Sequence, residues 1–323
     1  MKALSVFSGG LDSMLAAALI RAQGIEVLGL FFETPFFTSK RALESAATIN
    51  LPIKVIDITE AHLAVVKNPR HGYGRHMNPC IDCHTLMLAE AGKLLEKEEA
   101  SFIFTGEVLG ERPMSQNMKA LSIVASECGF KGLVLRPLSA KLLPVSIPEE
   151  KGWVRRDDLM NFSGRSRKPQ MALAKEFNIR EYPAPAGGCL LTDVIFSRRF
   201  RDLLSSQRHF DLNEIELLKV GRHFRIGPQT KVVVGRNKKD NETIHLLARE
   251  LDLLLRPESV PGPTVVLLGE WSPDAEELAA SLAVSYSDAR GDEPVNVHLS
   301  GKGIDKILAV SPSSKEEFKR YMI

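Results

Sequence analysis

The sequence predicts a doubly wound α/β domain on a parallel sheet, followed by a smaller α+β domain. Three observations carry this. Short apolar runs alternate with helical patterns through the first 140 residues, as strands joined by crossover helices do. The first run, Ala3–Phe7, breaks directly into Ser8-Gly9-Gly10 and a helical pattern, a strand-to-helix turn of the kind that binds ligands at a sheet's carboxyl edge. From Asp211 onward the alternation ends and hairpin patterns begin. A chain of 323 residues has room for two domains.

In order, Ala3–Phe7 reads as a strand, Met14–Ala22 as an Ala/Leu-rich helix, and Glu26–Phe32 as a second strand. Lys40–Asn50 is a helix, Ile53–Ile58 a strand, and Thr85–Lys97 a long amphipathic helix. Phe102–Thr105 is a fourth strand ending in Gly106, Met114–Glu127 a helix, and Leu133–Leu135 a fifth strand before Arg136-Pro137. Residues 141–196 read as an appendage with one or two helices, completing a first domain over 1–196, and the charged stretch 197–210 as a linker. In the second domain, 211–323, Phe224–Ile226 and Lys231–Gly235 flank a Gly-Pro turn as a hairpin. Thr243–Leu255 and Ala275–Ala283 read as helices, and Val265–Leu268 and Val295–Leu299 as strands.

With 44% hydrophobic and 25% charged residues, the composition is that of a soluble globular protein. No apolar run approaches ~18 residues, so no membrane span is expected. Met1–Phe7 is too short for a signal peptide core, and cytoplasm is the expected compartment. Four cysteines do not make a disulfide scaffold in a chain this long; clustered, they point to metal or catalysis. The net charge of +2 is uneven: residues 1–150 hold 15 Lys+Arg against 16 Asp+Glu, 151–256 hold 21 against 13, and 257–323 hold 6 against 11. A basic middle suits a polyanion such as RNA; a solvated basic surface is the alternative.

Ser8-Gly9-Gly10-Leu11-Asp12-Ser13 carries the first chemistry. Glycines let backbone N–H groups approach an anion, and the following helix N-terminus adds partial positive charge. Ser8 and Ser13 offer hydroxyl donors. Asp12 would repel phosphate unless a cation lies between them, which implies Mg²⁺. The loop lacks the lysine of a Walker A motif. The plainer reading is a strand-to-helix turn with Asp12 or Ser13 as N-cap.

Cys80 and Cys83, in Asn78-Pro79-Cys80-Ile81-Asp82-Cys83-His84, stand at a helix start, where thiolate is favoured. Cys189 follows Gly187-Gly188, and Cys128 reads as a small buried hydrophobe beside Leu121 and Val124. Three thiolates with an open position suit an iron–sulfur cluster. Zinc with His84, His76 or His71 as fourth ligand, and persulfide or disulfide chemistry, are the alternatives.

The glycine loop resembles the PP-loop of the ATP pyrophosphatase superfamily, over residues 1–140. The resemblance implies an adenine-nucleotide hydrolase-like fold, with ATP cleaved between its α and β phosphates and AMP transferred to a carbonyl-type oxygen. Together with Pro-Cys-x-x-Cys and the late Gly-Gly-Cys, the loop looks like that of a tRNA thiouridine synthetase. Thr105-Gly106-Glu107-Val108-Leu109-Gly110-Glu111, Ser115-Gln116-Asn117 and Leu135-Arg136-Pro137-Leu138 are similar to motifs of the 4-thiouridine synthetases, and the first cysteine motif to that of the 2-thiouridylases. Val232-Val233-Val234-Gly235-Arg236-Asn237 with Asp240-Asn241-Glu242 resembles the NFACT-type RNA-binding domain.

These resemblances imply nucleotide contacts at Ser8–Ser13, Phe32, Thr105, Gly106 and Gln116, and a [4Fe–4S] cluster on Cys80, Cys83 and Cys189. Asp12, Cys80 and Cys189 are the expected catalytic residues. Arg165, Arg167 and Lys168, in the basic loop after Ser163-Gly164, and Arg236 are the expected RNA contacts. The expected partners are tRNA and a sulfur donor, either sulfide or a cysteine desulfurase or persulfide carrier. A PP-loop ligase acting on a small carboxylate with structural zinc, and an RNA-binding protein with a non-catalytic ATP site, are the other readings.

Overall fold

The computed structural model describes residues 1–184, 188–206, 210–301 and 303–323. The chain divides into two compact units, Met1–Thr192 and Asp193–Ile323.

In the first unit the order is β1 (Lys2–Val6), α1 (Leu11–Ala22), β2 (Glu26–Glu33), α2 (Lys40–Thr48), β3 (Ile53–Asp57), α3 (Thr59–Lys67), α4 (Cys80–Lys93), β4 (Phe102–Thr105), α5 (Met118–Glu127) and β5 (Val134–Leu135). The one-turn α6 (Ile147–Glu150) and α7 (Lys168–Glu176) follow. The five strands form a sheet of order β3-β2-β1-β4-β5, and every pair is parallel. Both faces are covered. Ala3 and Phe7 enter one core with Leu15 of α1, Ala46 of α2 and Leu173 of α7. Leu4, between them in sequence, enters the other with Leu88 and Ala91 of α4 and Val124 of α5. This near-continuous apolarity of β1 is what a doubly covered parallel strand requires. Strand order reverses between β1 and β4, where Val6 pairs with Thr105, so the loops leaving these strands open side by side.

Two elements differ from the sequence expectation in ways that matter for the site. Helix α4 begins at Cys80, five positions ahead of Thr85, and takes both thiols into its first turn. Helix α5 begins at Met118 because Asn117 caps it, its side chain accepting from the Ala120 N–H at 2.9 Å.

The second unit runs α8 (Val194–Ser206), α9 (Leu212–Leu217), β6 (Arg222–Arg225), β7 (Thr230–Val234), α10 (Lys238–Leu247), β8 (Leu253–Pro257), β9 (Val265–Gly269), α11 (Pro273–Ser285), β10 (Val295–Gly301) and β11 (Ile304–Val310). Its strands form an antiparallel sheet of order β11-β10-β8-β9-β7-β6. Helix α11 packs on the face carrying Val232, Leu253 and Leu255; Leu217 of α9 and Ile244 of α10 pack on the face carrying Val233 and Leu254. The helix expected over Thr243–Leu255 is thus two elements. A Leu253-Leu254-Leu255 run feeding both faces of a covered sheet carries no polar alternation that would mark it as a strand.

The stretch expected as a linker over 197–210 is helical to Ser206, and residues 207–209 lie outside the described residues. Phe196, Phe200 and Leu203 of α8 are buried, at the i, i+4, i+7 spacing of one helix face. Among the described residues no helix is long and apolar enough to cross a membrane.

Candidate active site

The loop leaving β1 is built around two close approaches. Gly9 has φ +74°, and a Cβ there would stand 2.7 Å from Ala42 Cα. Ser45 Oγ of α2 donates to the Gly9 carbonyl at 2.8 Å. At the neighbouring strand end, a Cβ on Gly106 would fall 2.5 Å from Ser13 N. Only glycine fits either place. Gly10, not Asp12 or Ser13, is the N-cap of α1, and no side chain caps the helix. Ser13 Oγ turns back to donate to the Gly10 carbonyl at 2.8 Å and lies 3.4 Å from Ser8 Oγ. Leu11 buries its side chain in the core. The first N–H groups of α1 therefore face the crevice without an intrahelical acceptor, the arrangement that receives an anion.

Asp12 lies at this helix start. Burial raises its carboxyl pKa, while Arg167, Gln170 and Arg112 nearby work against the rise. Asp12 Oδ1 is buried without a hydrogen-bond partner among the described residues, and so are both polar atoms of Gln170. Orphan oxygens of this kind call for a ligand, and a carboxylate oxygen beside an anion-binding helix end fits Mg²⁺. Glu111 is also pushed up, first by burial and then by the nearby Asp12 charge.

The segment from β4 onward is held by a buried ion pair. Glu107 and Arg136 are both almost fully buried, and Arg136 Nε donates to Glu107 Oε2 at 2.8 Å. Thr105 Oγ1 donates to the same oxygen at 3.0 Å, and His84 Nδ1 is 2.8 Å from Oε1. Burial alone would raise the Glu107 pKa; Arg136 and His84 more than reverse this and hold it well below the usual carboxylate range. Gln116 is buried, and its Oε1 accepts from the Arg112 N–H at 3.1 Å while its carbonyl accepts from Gly110 N–H at 2.7 Å. Thr105 and Gln116 therefore use their side chains to shape the loop. Phe32 buries its ring in the core with α4 and α5 and leaves only backbone for a nucleotide. Sequence reading named Glu107 and Arg136 only as parts of motifs; their pairing becomes visible when β4 and β5 are placed side by side.

Two thiols share one partner across a long sequence separation. Cys80 Sγ donates to Asn78 Oδ1 at 2.9 Å, and Asn78 Nδ2 donates to Cys189 Sγ at 3.5 Å. Cys83 is buried behind them and feels the charges of both Cys189 and Cys80. All four cysteines are free thiols, and Cys128 is the buried hydrophobe expected. Gly188 adopts φ +110°, and a Cβ there would stand 2.8 Å from Thr192 Oγ1; Gly187, the other glycine of the motif, lies outside the described residues.

The expectation that the helix start lowers the thiol pKa is overturned. Burial pushes Cys83 well up and raises Cys80, because desolvation of the thiolate outweighs the helix end; Cys189, outside that helix, is pushed up by burial to about 11. Among the described residues no group of three or more His, Cys, Asp and Glu is placed to hold a metal ion. His71 is engaged by Asp82 and Glu127, and His84 by Glu107, so neither is turned to the thiols; His76 Nε2 is buried without a partner among the described residues.

One loop joins the two places. Glu111 feels the Asp12 charge, the Arg112 guanidinium acts on both Asp12 and Cys80, and Ser115 too works against the rise of the Cys80 thiol pKa. The basic loop is bridged to this segment through Leu109 and Ser163, with Gly164 N donating to Leu109 O at 2.8 Å. Arg165 and Lys168 are exposed; Arg167 is half-buried, and its charge works against the raised pKa of Asp12 and Glu111. In the second unit Arg236 is tied to Asp240 at 2.6 Å.

Residues 1–141 match the family described as thiamine biosynthesis protein (ThiI), and residues 221–322 the family described as NFACT protein RNA binding domain. A probable tRNA sulfurtransferase of Bacillus licheniformis is 29% identical over 148 residues, 42% of this chain and 34% of that protein. One of Clostridium acetobutylicum is 26% identical over 144 residues, 42% of this chain and 35% of that protein. The chain thus spans about a third of the length of the curated relatives it matches. A solved 4-thiouridine synthetase–RNA complex with bound ATP aligns at a TM-score of 0.35 and 21% identity, over 55% of this chain and 51% of that one.

Proposed function

We propose that this chain, which joins a ThiI-type domain to an NFACT-type RNA-binding domain, is an ATP-dependent sulfurtransferase acting on a uridine of tRNA. The observation that carries the reading is the single segment, residues 106–117, whose Gly106 backs onto Asp12 and Ser13, a Cβ there standing 2.6 Å from Asp12 C, while its Glu107 holds His84, next to Cys83, at 2.8 Å. An anion-binding helix start alone supports nucleotide binding; the thiols sharing its loop support sulfur as the second reactant.

In this reading the N–H groups at the start of α1 bind the pyrophosphate of ATP, and Asp12 holds the Mg²⁺ that screens it. The uridine carbonyl oxygen attacks the α-phosphorus; an O–P bond forms, the Pα–O–Pβ bond breaks, and pyrophosphate leaves. The carbonyl oxygen has become part of a good leaving group. Hydrosulfide then bonds to the ring carbon, AMP departs with the original oxygen, and the S–H proton passes to solvent to leave the C=S; where a persulfide carrier delivers the sulfur, a second thiol breaks its S–S bond and leaves a disulfide. Arg112 offsets negative charge at both the phosphates and Cys80. Glu107 and Arg136 position this loop and touch neither reactant.

Cys80, Cys83 and Cys189 would hold a [4Fe–4S] cluster, which supplies an iron site for binding sulfide. Cys80 and Cys189 share Asn78 and Cys83 lies within reach of their charges, but the three are not placed as a metal-holding group among the described residues, so holding a cluster would require them to draw together and ionise. The sulfur donor, sulfide or a persulfide carrier, and the cytoplasmic setting belong to the same proposal.

Anaerobically purified protein tests it. Iron and acid-labile sulfide are expected, with ATP–pyrophosphate exchange stimulated by unmodified tRNA. A strain lacking the gene should lose one thiouridine from its tRNA nucleosides. An unchanged nucleoside profile together with RNA-independent exchange overturns the reading.

A further inference from the structure

Several cations of the chain's middle are engaged within the fold. In the second unit Arg199 donates to the Leu218 and Gly221 carbonyls. Arg225 and Lys231 hold Asp202, Arg236 holds Asp240, and Arg249 holds Asp211, Glu214 and Asp252. None of these cations is free to attract a polyanion at full strength.

Three others gather at one place. Lys238 and His245 of α10 and Arg256 of β8 line a cavity of about 370 Å³, within the size range of small-ligand sites. Lys238, Asn241, Glu242 and His245 recur at the spacing of one helix face. His245 and Arg256 have no side-chain hydrogen bond or ion pair among the described residues, and both are exposed. Lys238 lies 3.9 Å from Glu242, with both side chains mostly in solvent, a pairing too loose to hold it. The wall behind them is fixed. Asn241 Oδ1 accepts from Thr264 N at 3.0 Å, and a Cβ on Gly235 would stand 1.9 Å from that oxygen.

We propose that this cavity takes one nucleotide of an RNA strand, its phosphate against Lys238 and Arg256 and its base on the His245 ring. Guanidinium and ammonium groups suit phosphate oxygens, and an imidazole face stacks on an unpaired base. This assignment rests on the RNA reading of the second unit and says where on it the RNA sits.

The test uses the full chain and an unmodified tRNA transcript, followed by fluorescence anisotropy across a salt series. The Lys238→Gln/Arg256→Gln double variant should bind about tenfold more weakly, and its slope of log affinity against log salt should be shallower by about two. His245→Ala should weaken binding with the slope unchanged. Arg290→Gln, an exposed cation that does not line the cavity, should bind as wild type does. Unaltered melting temperatures confirm that these surface variants fold. A double variant no weaker than Arg290→Gln overturns the inference while leaving the RNA reading intact. Wild type that fails to bind the transcript overturns both. AMP binding lost in the double variant while RNA affinity is retained marks a free-nucleotide site and also overturns it.

Discussion

Among the described residues Asp12 has one buried carboxylate oxygen, Oδ1, without a hydrogen-bond partner, at a helix start that no side chain caps. Asp12→Asn keeps the shape and removes the charge. It should lower ATP–pyrophosphate exchange by about 100-fold or more while the melting temperature stays level or rises. Wild-type exchange in this variant would remove Asp12 from the site. Glu107 is the opposite case, a buried charge fully engaged by its neighbours. Glu107→Gln leaves Arg136 without its counter-charge and should destabilise the first unit by about 3–5 kcal/mol at neutral pH. Its depressed folded-state pKa sets the sign with pH. The pair's contribution is complete above the carboxyl's ordinary value of 4.5 and fades as pH falls below it. Chemical denaturation at pH 7 and pH 3 should therefore show the gap between wild type and variant shrinking in acid.

At the scale of elements, helix α8 shows what composition conceals. Its arginines read as a charged connector, yet Phe200 is fully buried within it. Phe200→Ala should cost the second unit about 3–5 kcal/mol, read as an earlier unfolding transition; a transition left in place would restore the linker. The parallel sheet was legible because β1, β2 and β4 are apolar on both sides and end in glycine or turn residues. The glycine loop was legible because its backbone needs those residue types. The meeting of the thiols was legible only through a family resemblance, since Asn78 and Cys189 lie far apart in sequence and meet only in the folded chain. The Glu107–Arg136 pair and the β8 strand were not legible. The first depends on the strand order, and the second is a leucine run whose period is the same in a buried helix and a doubly covered strand.

For the whole molecule, two units with separate cores predict unfolding that departs from a single two-state transition. Calorimetry should resolve two transitions. ATP with magnesium should raise one and an RNA transcript the other. A single transition moved equally by either ligand would show one cooperative body.

The loop from Gly106 to Asn117 carries a further consequence. It meets one end of the site at Gly106, against Asp12 and Ser13, and the other through Glu107 and His84, beside Cys83. Occupants of the two ends therefore have a shared free energy of interaction. By reciprocity, whatever factor ATP imposes on the loading of the thiol pocket, a loaded pocket must impose on the affinity for ATP. Under the proposed reaction the protein would register bound sulfur before it adenylates its substrate, with no contact between the two ligands.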